Sequence, residues 1–273
     1  MPGFDELKRT LPAIETTLYY IDPAAPIGGI NDVEREKSSF TLLPHQVAIR
    51  DMRPIAKSLS LDTTGFVLLD RPSRVTDFYD PRQVEDIYMP EIVALIKELT
   101  GAARVVTFGT LIRNNAPNAP ANAHKSVHNA HIDYNIATTR AVQNRLLPED
   151  ERARYADTRV MQINVWRPIA TIESAPLAVC DSQSVARADL VHGPIGGKSQ
   201  AGPGAAGWNL AHNPQHRWYY APRMKPSEAL VFRLCDSDDS APQWAAHTSF
   251  QDPTSGPDAA PRQSIEVRTL ALF

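Results

Sequence analysis

Short apolar runs separated by turn-forming residues recur along the chain, and they predict strands more often than helices. Most of these runs are rich in β-branched and aromatic side chains, which is typical of strands. They follow one another closely from about residue 104 onward. The predicted strands are 17–21, 66–69, 104–111, 160–166, 175–180, 218–221, 228–234, 247–250 and 264–272.

Helical spacing of apolar residues is confined to two regions. Residues 91–99 carry such a pattern, and Gly101 stands where a helix C-cap belongs. Pro90 is predicted to separate two short helices there. Residues 136–156 predict two further helices, of which the second opens with Pro148 and three acidic residues that suit the helix dipole.

A run of strands with one helical insertion predicts a mainly β fold. We expect a double-stranded β-helix, the cupin-like jelly roll, with peripheral α-helices. The chain has 273 residues, of which 42% are hydrophobic, so a sizeable core can be buried. No repeat and no linker divides it, so a single jelly-roll domain over 1–273 is expected. Residues 1–103 would decorate the N-terminal side and 104–273 would form the core.

Two long segments lack any periodicity and predict loops. Residues 114–130 run directly into His131, and they fit a lid over a site and a plain connection equally well. The loop histidines His124 and His128 are expected to face solvent or to support a site rather than bind a metal. Residues 191–211 are rich in glycine without the spacing of a phosphate-binding loop, and they predict a mobile loop at a pocket mouth.

Composition narrows the range of partners. The net charge of -3 gives no basic footprint for nucleic acid and no polybasic membrane patch. No apolar stretch is long enough to span a bilayer. The two cysteines, Cys180 and Cys235, are far apart in sequence, so we expect no disulfide framework and a reduced, cytoplasmic setting.

The tripeptide His131-Ile132-Asp133 is the first candidate for chemistry. On a strand, side chains two residues apart point to the same face, so an imidazole and a carboxylate would converge. One more histidine would complete the two-His, one-carboxylate set that holds non-haem Fe(II) and leaves positions open. By itself the motif is weak, because such pairs occur by chance and a surface polar pair near a turn explains it better.

A second group of polar residues follows near the end of the chain. His247 begins a predicted strand after the apolar strand 228–234, and Arg262 and Ser264 then share a face. A guanidinium beside a hydroxyl makes a good anchor for a carboxylate. The order H-x-D, strands, His and R-x-S is that expected of a jelly roll binding Fe(II) and 2-oxoglutarate. His131, Asp133 and His247 would then hold the metal, with one position for dioxygen.

Structural roles would explain several of these residues as well. His247 fits a strand-end histidine that caps a carbonyl, and Arg262 fits a surface arginine beside proline. Glu266 and Arg268 share the face of Ser264 and could form a structural ladder with Arg262. His216 is the main rival for third ligand, although a place in the pocket wall suits it better.

Further residues are candidates for the pocket itself. Asn164 and Trp166 alternate onto one face of a predicted strand, where an amide beside an indole would suit a cofactor or substrate site. Asn164 is therefore a candidate for cofactor binding. Tyr134, Trp166, His216 and Tyr219 are candidates for the substrate pocket, although the aromatic residues among them fit core packing equally well.

The chain also resembles a known family. The resemblance covers most of 104–273, and it lies in HIDYN, INVWRP, APLAVCDSQSV, NPQHRWYYAP, EALVFRLCDS, HTSFQDP and PRQSIEVRTLALF. These stretches are similar to the hydroxylase/desaturase family of secondary metabolism, which includes fungal gibberellin desaturase and AsaB-like proteins. The resemblance implies a non-haem Fe(II)/2-oxoglutarate oxygenase. It carries over His131, Asp133 and His247 as ligands and Arg262 with Ser264 as cosubstrate anchors.

The expected enzyme uses Fe(II), 2-oxoglutarate and O2 to hydroxylate, desaturate or oxidatively cyclise a small molecule. Its substrate would be a secondary metabolite or a compound derived from an amino acid. A zinc-dependent jelly-roll hydrolase and a non-catalytic metabolite-binding protein are the alternatives. We expect no nucleic acid or membrane partner and leave a homodimer open.

Overall fold

Two β-sheets form the body of the chain in a computed structural model that describes residues 10–25, 30–31, 40–196 and 205–273. The strands, in chain order, are β1 (Ala13–Ile21), β2 (Ile30–Asn31), β3 (Leu42–Asp51), β4 (Phe66–Asp70), β5 (Arg104–Asn114), β6 (His131–Ile132), β7 (Val160–Pro168), β8 (Leu177–Cys180), β9 (Leu190–Gly196), β10 (Ala206–Leu210), β11 (Trp218–Tyr220), β12 (Glu228–Asp236), β13 (His247–Ser249) and β14 (Gln263–Leu272). One sheet has nine strands in the order β1-β3-β11-β8-β13-β6-β10-β9-β2. The other has five in the order β4-β12-β7-β14-β5.

The five-stranded sheet is antiparallel and buried on both faces at its centre. In β7 the apolar Ile163 and Val165 alternate with Gln162, Asn164 and Trp166, and all five side chains are buried. Alternation therefore places the three polar or amphipathic side chains on one face. Asn164 bonds across to the residue that follows β6, so this face lies against the nine-stranded sheet.

Helices lie outside the strands and follow the local sequence signals. They span Pro81–Gln83, the π-helical turn Val84–Tyr88, Met89–Thr100, Ile136–Leu146 and Glu149–Tyr155, with 3-10 turns at Arg53–Ser58, Ser182–Ser184 and Arg187–Asp189. Gly101 takes φ 71° as the predicted C-cap. The prediction that Pro90 separates two short helices is wrong, because Pro90 lies in the first turn of Met89–Thr100, which follows the π-helical turn Val84–Tyr88 without a break. The predicted mainly β architecture with peripheral helices is confirmed.

Two predictions about the strands are wrong. β3 is absent from the predicted strands, because Pro44, His45 and Gln46 interrupt its apolar pattern. It is nevertheless a strand, because it pairs antiparallel with β1 at nine positions. Residues 191–211 were predicted as a loop, but β9 and β10 pair antiparallel within that range. Residues 197–204 lie outside the described part of the chain.

Gly207 explains why a glycine-rich segment can be a strand here. A Cβ at this position would lie 2.2 Å from the carbonyl oxygen of Asp133 and 2.7 Å from that of Ile132. Such contacts are too close for any side chain, so glycine lets β10 approach β6. In the described residues, no helix combines the length and apolar character that crossing a membrane requires.

The centre of the five-stranded sheet is expected to control stability. Leu230 of β12 is 1% exposed, so Leu230→Ala should lower the free energy of unfolding by about 2–5 kcal/mol through lost burial and a residual cavity. The matched control is Leu43→Ala, since Leu43 is 37% exposed and should change stability by less than about 0.5 kcal/mol. Urea unfolding measures both, and equal effects would contradict this account of the core.

The two thiols are expected to be inert in the folded protein. Burial raises the pKa of Cys180 to about 12 and that of Cys235 to about 11, so little reactive thiolate forms at neutral pH. At pH 8 neither should react with a disulfide reagent until denaturant is added, when both should. Rapid reaction of either thiol in the native protein would contradict the packing around it.

Candidate metal centre

Two short strands place the predicted histidines side by side. His131 of β6 and His247 of β13 are direct partners in an antiparallel pair, and their ring centroids are 4.4 Å apart. Asp133 follows two residues after His131, and its carboxylate oxygens lie 3.5 Å from His131 Nε2 and 3.8 Å from His247 Nε2. One ligand atom from each of the three lies within 4.8 Å of the others, and all three are buried. That they hold iron stays a prediction.

The imidazole of His131 is oriented by a hydrogen bond from its Nδ1. Its Nδ1 lies 2.8 Å from the carbonyl oxygen of Asn129, so Nδ1–H donates there and Nε2 keeps its lone pair for the site. The amide of Asn129 in turn donates to Asn209 at 3.1 Å. On the other side, the ring of Phe232 packs 4.7 Å from that of His247. The arrangement favours metal binding through Nε2 of His131.

The carboxylate of Asp133 is held by two partners on the opposite sheet. Asn164 Nδ2 donates to Oδ2 at 2.8 Å, and Arg268 Nη2 lies 3.9 Å from Oδ1. Burial alone would raise the pKa of Asp133, but Arg268, His131 and His247 outweigh it and hold the pKa well below its usual range. Asp133 therefore stays an anion, as a metal ligand must. Asn164, predicted to bind cofactor, contacts the carboxylate of this candidate ligand.

Arg268 is a residue that the sequence analysis did not place at the site. It lies 3.6 Å from Glu266 as well as near Asp133, so the pair of Glu266 and Arg268 reaches the three candidate ligands. Burial and the negative charge of Asp133 raise the pKa of Glu266, which is 7% exposed. Alternation along the strand already put Glu266 and Arg268 on the face of Ser264. This was the sequence signal that could have placed Arg268 at the site.

Arg262 is buried beside the cluster without a carboxylate partner. Its Nε donates to Ser264 Oγ at 3.2 Å, and its Nη1 donates to the carbonyl oxygen of Ala175 at 3.1 Å. Its guanidinium lies 5.0 Å from the ring centre of Trp166. Within the described residues no Asp or Glu comes within 4 Å of it. Glu266 lines the same cavity, and its charge acts on Arg262 through space without contact. A buried cation whose hydrogen-bond partners are all neutral is typical of a site that receives an anion.

A small cavity joins Arg262 to the three candidate ligands. Its volume is about 20 Å³, which is room for about one water molecule. The charged residues and candidate ligands that line it are Arg113, His131, Asp133, His247, Arg262 and Glu266. An oxo acid is larger than this space, so a lining side chain must move when one binds.

The aromatic candidates lie close to the cluster. Along the nine-stranded sheet, Tyr219, Val179, His247 and His131 are directly opposite one another in turn, so they share a face. The hydroxyl of Tyr219 and the indole N–H of Trp166 have no hydrogen-bond partner in the described residues. Polar atoms buried in this way suit the wall of a ligand pocket.

Tyr134 and His216 take other positions. Tyr134 is fully buried, and its ring packs 6.1 Å from Phe108 and 5.3 Å from the guanidinium of Arg268. His216 Nε2 lies 3.1 Å from Asp189, and the ring stacks on Tyr20. The structure therefore does not bring His216 to the pair of His131 and Asp133, and His247 takes the third position.

Comparison with known proteins agrees with this geometry. A family model described as Oxidoreductase/YMDC permease-like domain matches residues 18–272. Hydroxylase/desaturase efuI of Hormonema carpetanum is 32% identical over 289 aligned residues, which cover 96% of this chain and 96% of that protein. The chain belongs to the hydroxylase/desaturase family of oxidoreductases.

The chain is also similar to a dioxygenase and to an endoperoxidase of known structure. Alpha-ketoglutarate-dependent dioxygenase tstK of Talaromyces stipitatus is 29% identical over 261 residues, covering 89% of this chain and 90% of that protein. The solved structure of the iron and alpha-ketoglutarate-dependent endoperoxidase NvfI matches with a TM-score of 0.81 at 26% identity, covering 95% of this chain and 98% of that one. The predicted jelly roll and the resemblance to hydroxylases/desaturases are confirmed.

The amide of Asn164 is expected to support the metal site. Asn164→Ala removes its bond to Asp133 and should weaken binding of Mn(II) or Fe(II) by about tenfold to a hundredfold. Anaerobic calorimetry measures the affinity. Asn213→Ala is the matched control, because Asn213 donates to a carboxylate at Asp189, outside the cluster. Equal losses in both variants would contradict a role for Asn164 at the metal.

Proposed function

We propose that this protein is a non-haem Fe(II)/2-oxoglutarate-dependent oxygenase of a small-molecule substrate. The observation that carries the proposal is the buried set of His131, Asp133 and His247 beside the buried cation of Arg262. Two imidazoles and one carboxylate are the donors typical of such iron sites. The bound iron would supply oxygen activation, with O2 and 2-oxoglutarate consumed and succinate and carbon dioxide released.

Each residue of the cluster has a distinct part in this proposal. His131 and His247 would present neutral Nε2 atoms, and Asp133 would present a carboxylate that Arg268 and Asn164 keep ionised and oriented. Such fixed partners preserve an open, facial geometry.

The far carboxylate of the oxo acid would meet Arg262, which Ser264 and Trp166 hold in place. Burial, and after it the positive charge of Arg113, lowers the pKa of Arg262 to about 9, so the guanidinium still carries its charge at pH 7. A carboxylate in this position would satisfy a cation that only neutral groups now contact.

The reaction outcome is proposed from the relatives. Their names include hydroxylases/desaturases, dioxygenases and an endoperoxidase. We propose that this chain hydroxylates, desaturates or oxidatively cyclises a secondary metabolite or an amino-acid-derived compound. The inward-facing Tyr219 and Trp166 would line its pocket, with Tyr134 behind them.

The remaining expectations about organisation stay proposals. We propose one oxygenase domain over 1–273 with its core in 104–273. The N-terminal segment contributes strands to both sheets, since β1 and β3 belong to the nine-stranded sheet and β4 belongs to the five-stranded sheet. A cytoplasmic setting suits two buried, unpaired cysteines. A homodimer and the absence of nucleic acid and membrane partners remain predictions from composition.

Turnover of the cosubstrate provides the direct test. We expect the protein to convert 2-oxoglutarate to succinate only with Fe(II) and O2, and the conversion should fall to background in His131→Ala, Asp133→Ala and His247→Ala. His192→Ala, at an exposed histidine of β9, is the matched control and should keep activity.

The same preparation separates the alternatives. Adding 2-oxoglutarate to the anaerobic Fe(II) protein should produce the weak visible charge-transfer band of the chelate. A zinc-dependent hydrolase would work without O2 and would show no such band. A binding protein without catalysis would take up a metabolite and leave 2-oxoglutarate unchanged. Either result would overturn the proposed oxygenase.

A further inference from the structure

A pocket separate from the metal cavity lies beside β6, β10 and the segment that leads into β13. Its volume is about 400 Å³, which is within the range of sites for small molecules. Trp208, which lines it, is directly opposite Ile132, so both point to the face of the sheet away from His131. Among the residues that the structure describes, the pocket and the metal cavity share no lining residue. This pocket is therefore a candidate for a second ligand.

Two tryptophans in this pocket hold one guanidinium between them. The guanidinium carbon of Arg187 lies 4.4 Å from the ring centre of Trp208 and 5.7 Å from that of Trp244. A stacked guanidinium presents its faces to the rings and keeps its N–H donors in its own plane. In the described part of the chain no ion pair joins Arg187 to a carboxylate. Its donors are therefore available to an anion, and stacking holds the cation in place before binding.

The backbone of Trp244 is strained in a way typical of ligand sites. Its φ is 64°, in the left-handed region that a bulky side chain rarely adopts. Trp244 N donates to the carbonyl oxygen of Leu234 at 3.3 Å, and Ala246 N donates to that of Trp244 at 2.8 Å. Strain of this kind concentrates at ligand clamps and active sites, where the surroundings impose it. Here the strained residue carries the indole that lies beside Arg187.

The rest of the lining favours an apolar ligand with one acidic group. Ile136 is 39% exposed and offers apolar surface to the pocket. The carboxylate of Asp236 is paired with Arg159 at 2.7 Å and with Arg233 at 3.1 Å, so it leaves little net negative charge. The other lining carboxylate, Asp239, is exposed, and solvent screens its charge. The stacked guanidinium is therefore the charge that a ligand in the pocket would meet.

We propose that this pocket binds a small organic acid with an apolar ring system. The acidic group accepts hydrogen bonds from Arg187, and the rings lie against Trp208, Trp244 and Ile136. The site goes beyond the proposed oxygenase function and is separate from the binding of metal and 2-oxoglutarate. Trp244 precedes His247 by three residues, so the ligand contacts a segment that continues into the candidate metal centre.

A matched pair of fluorescent dyes tests the pocket without turnover. Anilinonaphthalenesulfonate carries an anionic group on an apolar ring system, and phenylnaphthylamine has the same rings without the anion. Wild type should bind both with a rise in fluorescence. Arg187→Gln should weaken the anionic dye by about fivefold or more, through loss of a charged hydrogen bond, and leave the neutral dye within about twofold. Equal weakening of both dyes, or of neither, would overturn the role of Arg187.

Variants of the apolar wall separate ring binding from charge. Trp244→Leu and Ile136→Ser should each weaken both dyes by about threefold to tenfold, because each removes apolar contact with the rings. Ile136 is exposed in the first turn of Ile136–Leu146, so its variant is expected to fold even if Trp244→Leu does not. Unchanged binding of both dyes to folded Ile136→Ser would place them elsewhere and overturn the pocket.

Two controls fix the location of the dye. Arg154→Gln changes another exposed arginine, which lies 5.3 Å from the ring centre of Tyr155 and outside the pocket, and it should alter neither binding constant. Saturating 2-oxoglutarate with Mn(II) should not displace the anionic dye from wild type. Displacement would place the dye in the metal cavity and overturn a separate site. Loss of cosubstrate turnover with dye binding intact would contradict the oxygenase alone.

Discussion

The backbone pairing of His131 with His247 is the contact on which the candidate metal centre depends. It joins a strand of two residues to one of three, and neither could hold its place without β8 and β10 on either side. Adjacent strands lie about 4.8 Å apart, so the spacing of the two imidazoles follows from the sheet rather than from a loop. Both histidines are thereby positioned by paired strands rather than by loops, which favours a precise site.

Much of the fold could be predicted from alternation alone. The strands that became β7, β12 and β14 are long and apolar, and their signal was unambiguous. β3 and the hairpin of β9 and β10 were missed, because their positions are set by partners rather than by their own residues. Local sequence reports propensity, whereas tertiary pairing decides weak segments.

The candidate site could likewise be predicted only where alternation within a single strand places two residues together. The period of two placed His131 with Asp133 and Arg262 with Ser264. The structure brings His131, Asp133 and Arg262 to one cavity, and Ser264 accepts a hydrogen bond from Arg262. Arg113 was missed because the predicted strand ended two residues before it, at 111, so its face could not be assigned. The partners of Asp133 come from the opposite sheet, and no spacing within one segment could reveal contacts between sheets.

Gly207 gives the centre a vulnerability that no ligand residue reveals. The backbone that carries Asp133 lies where the first carbon of any side chain at 207 would have to be. Even alanine would push apart the two strands that set the reach of the aspartate. A homologue with any residue other than glycine at this position could therefore keep all three candidate ligands and still lose the distances between them.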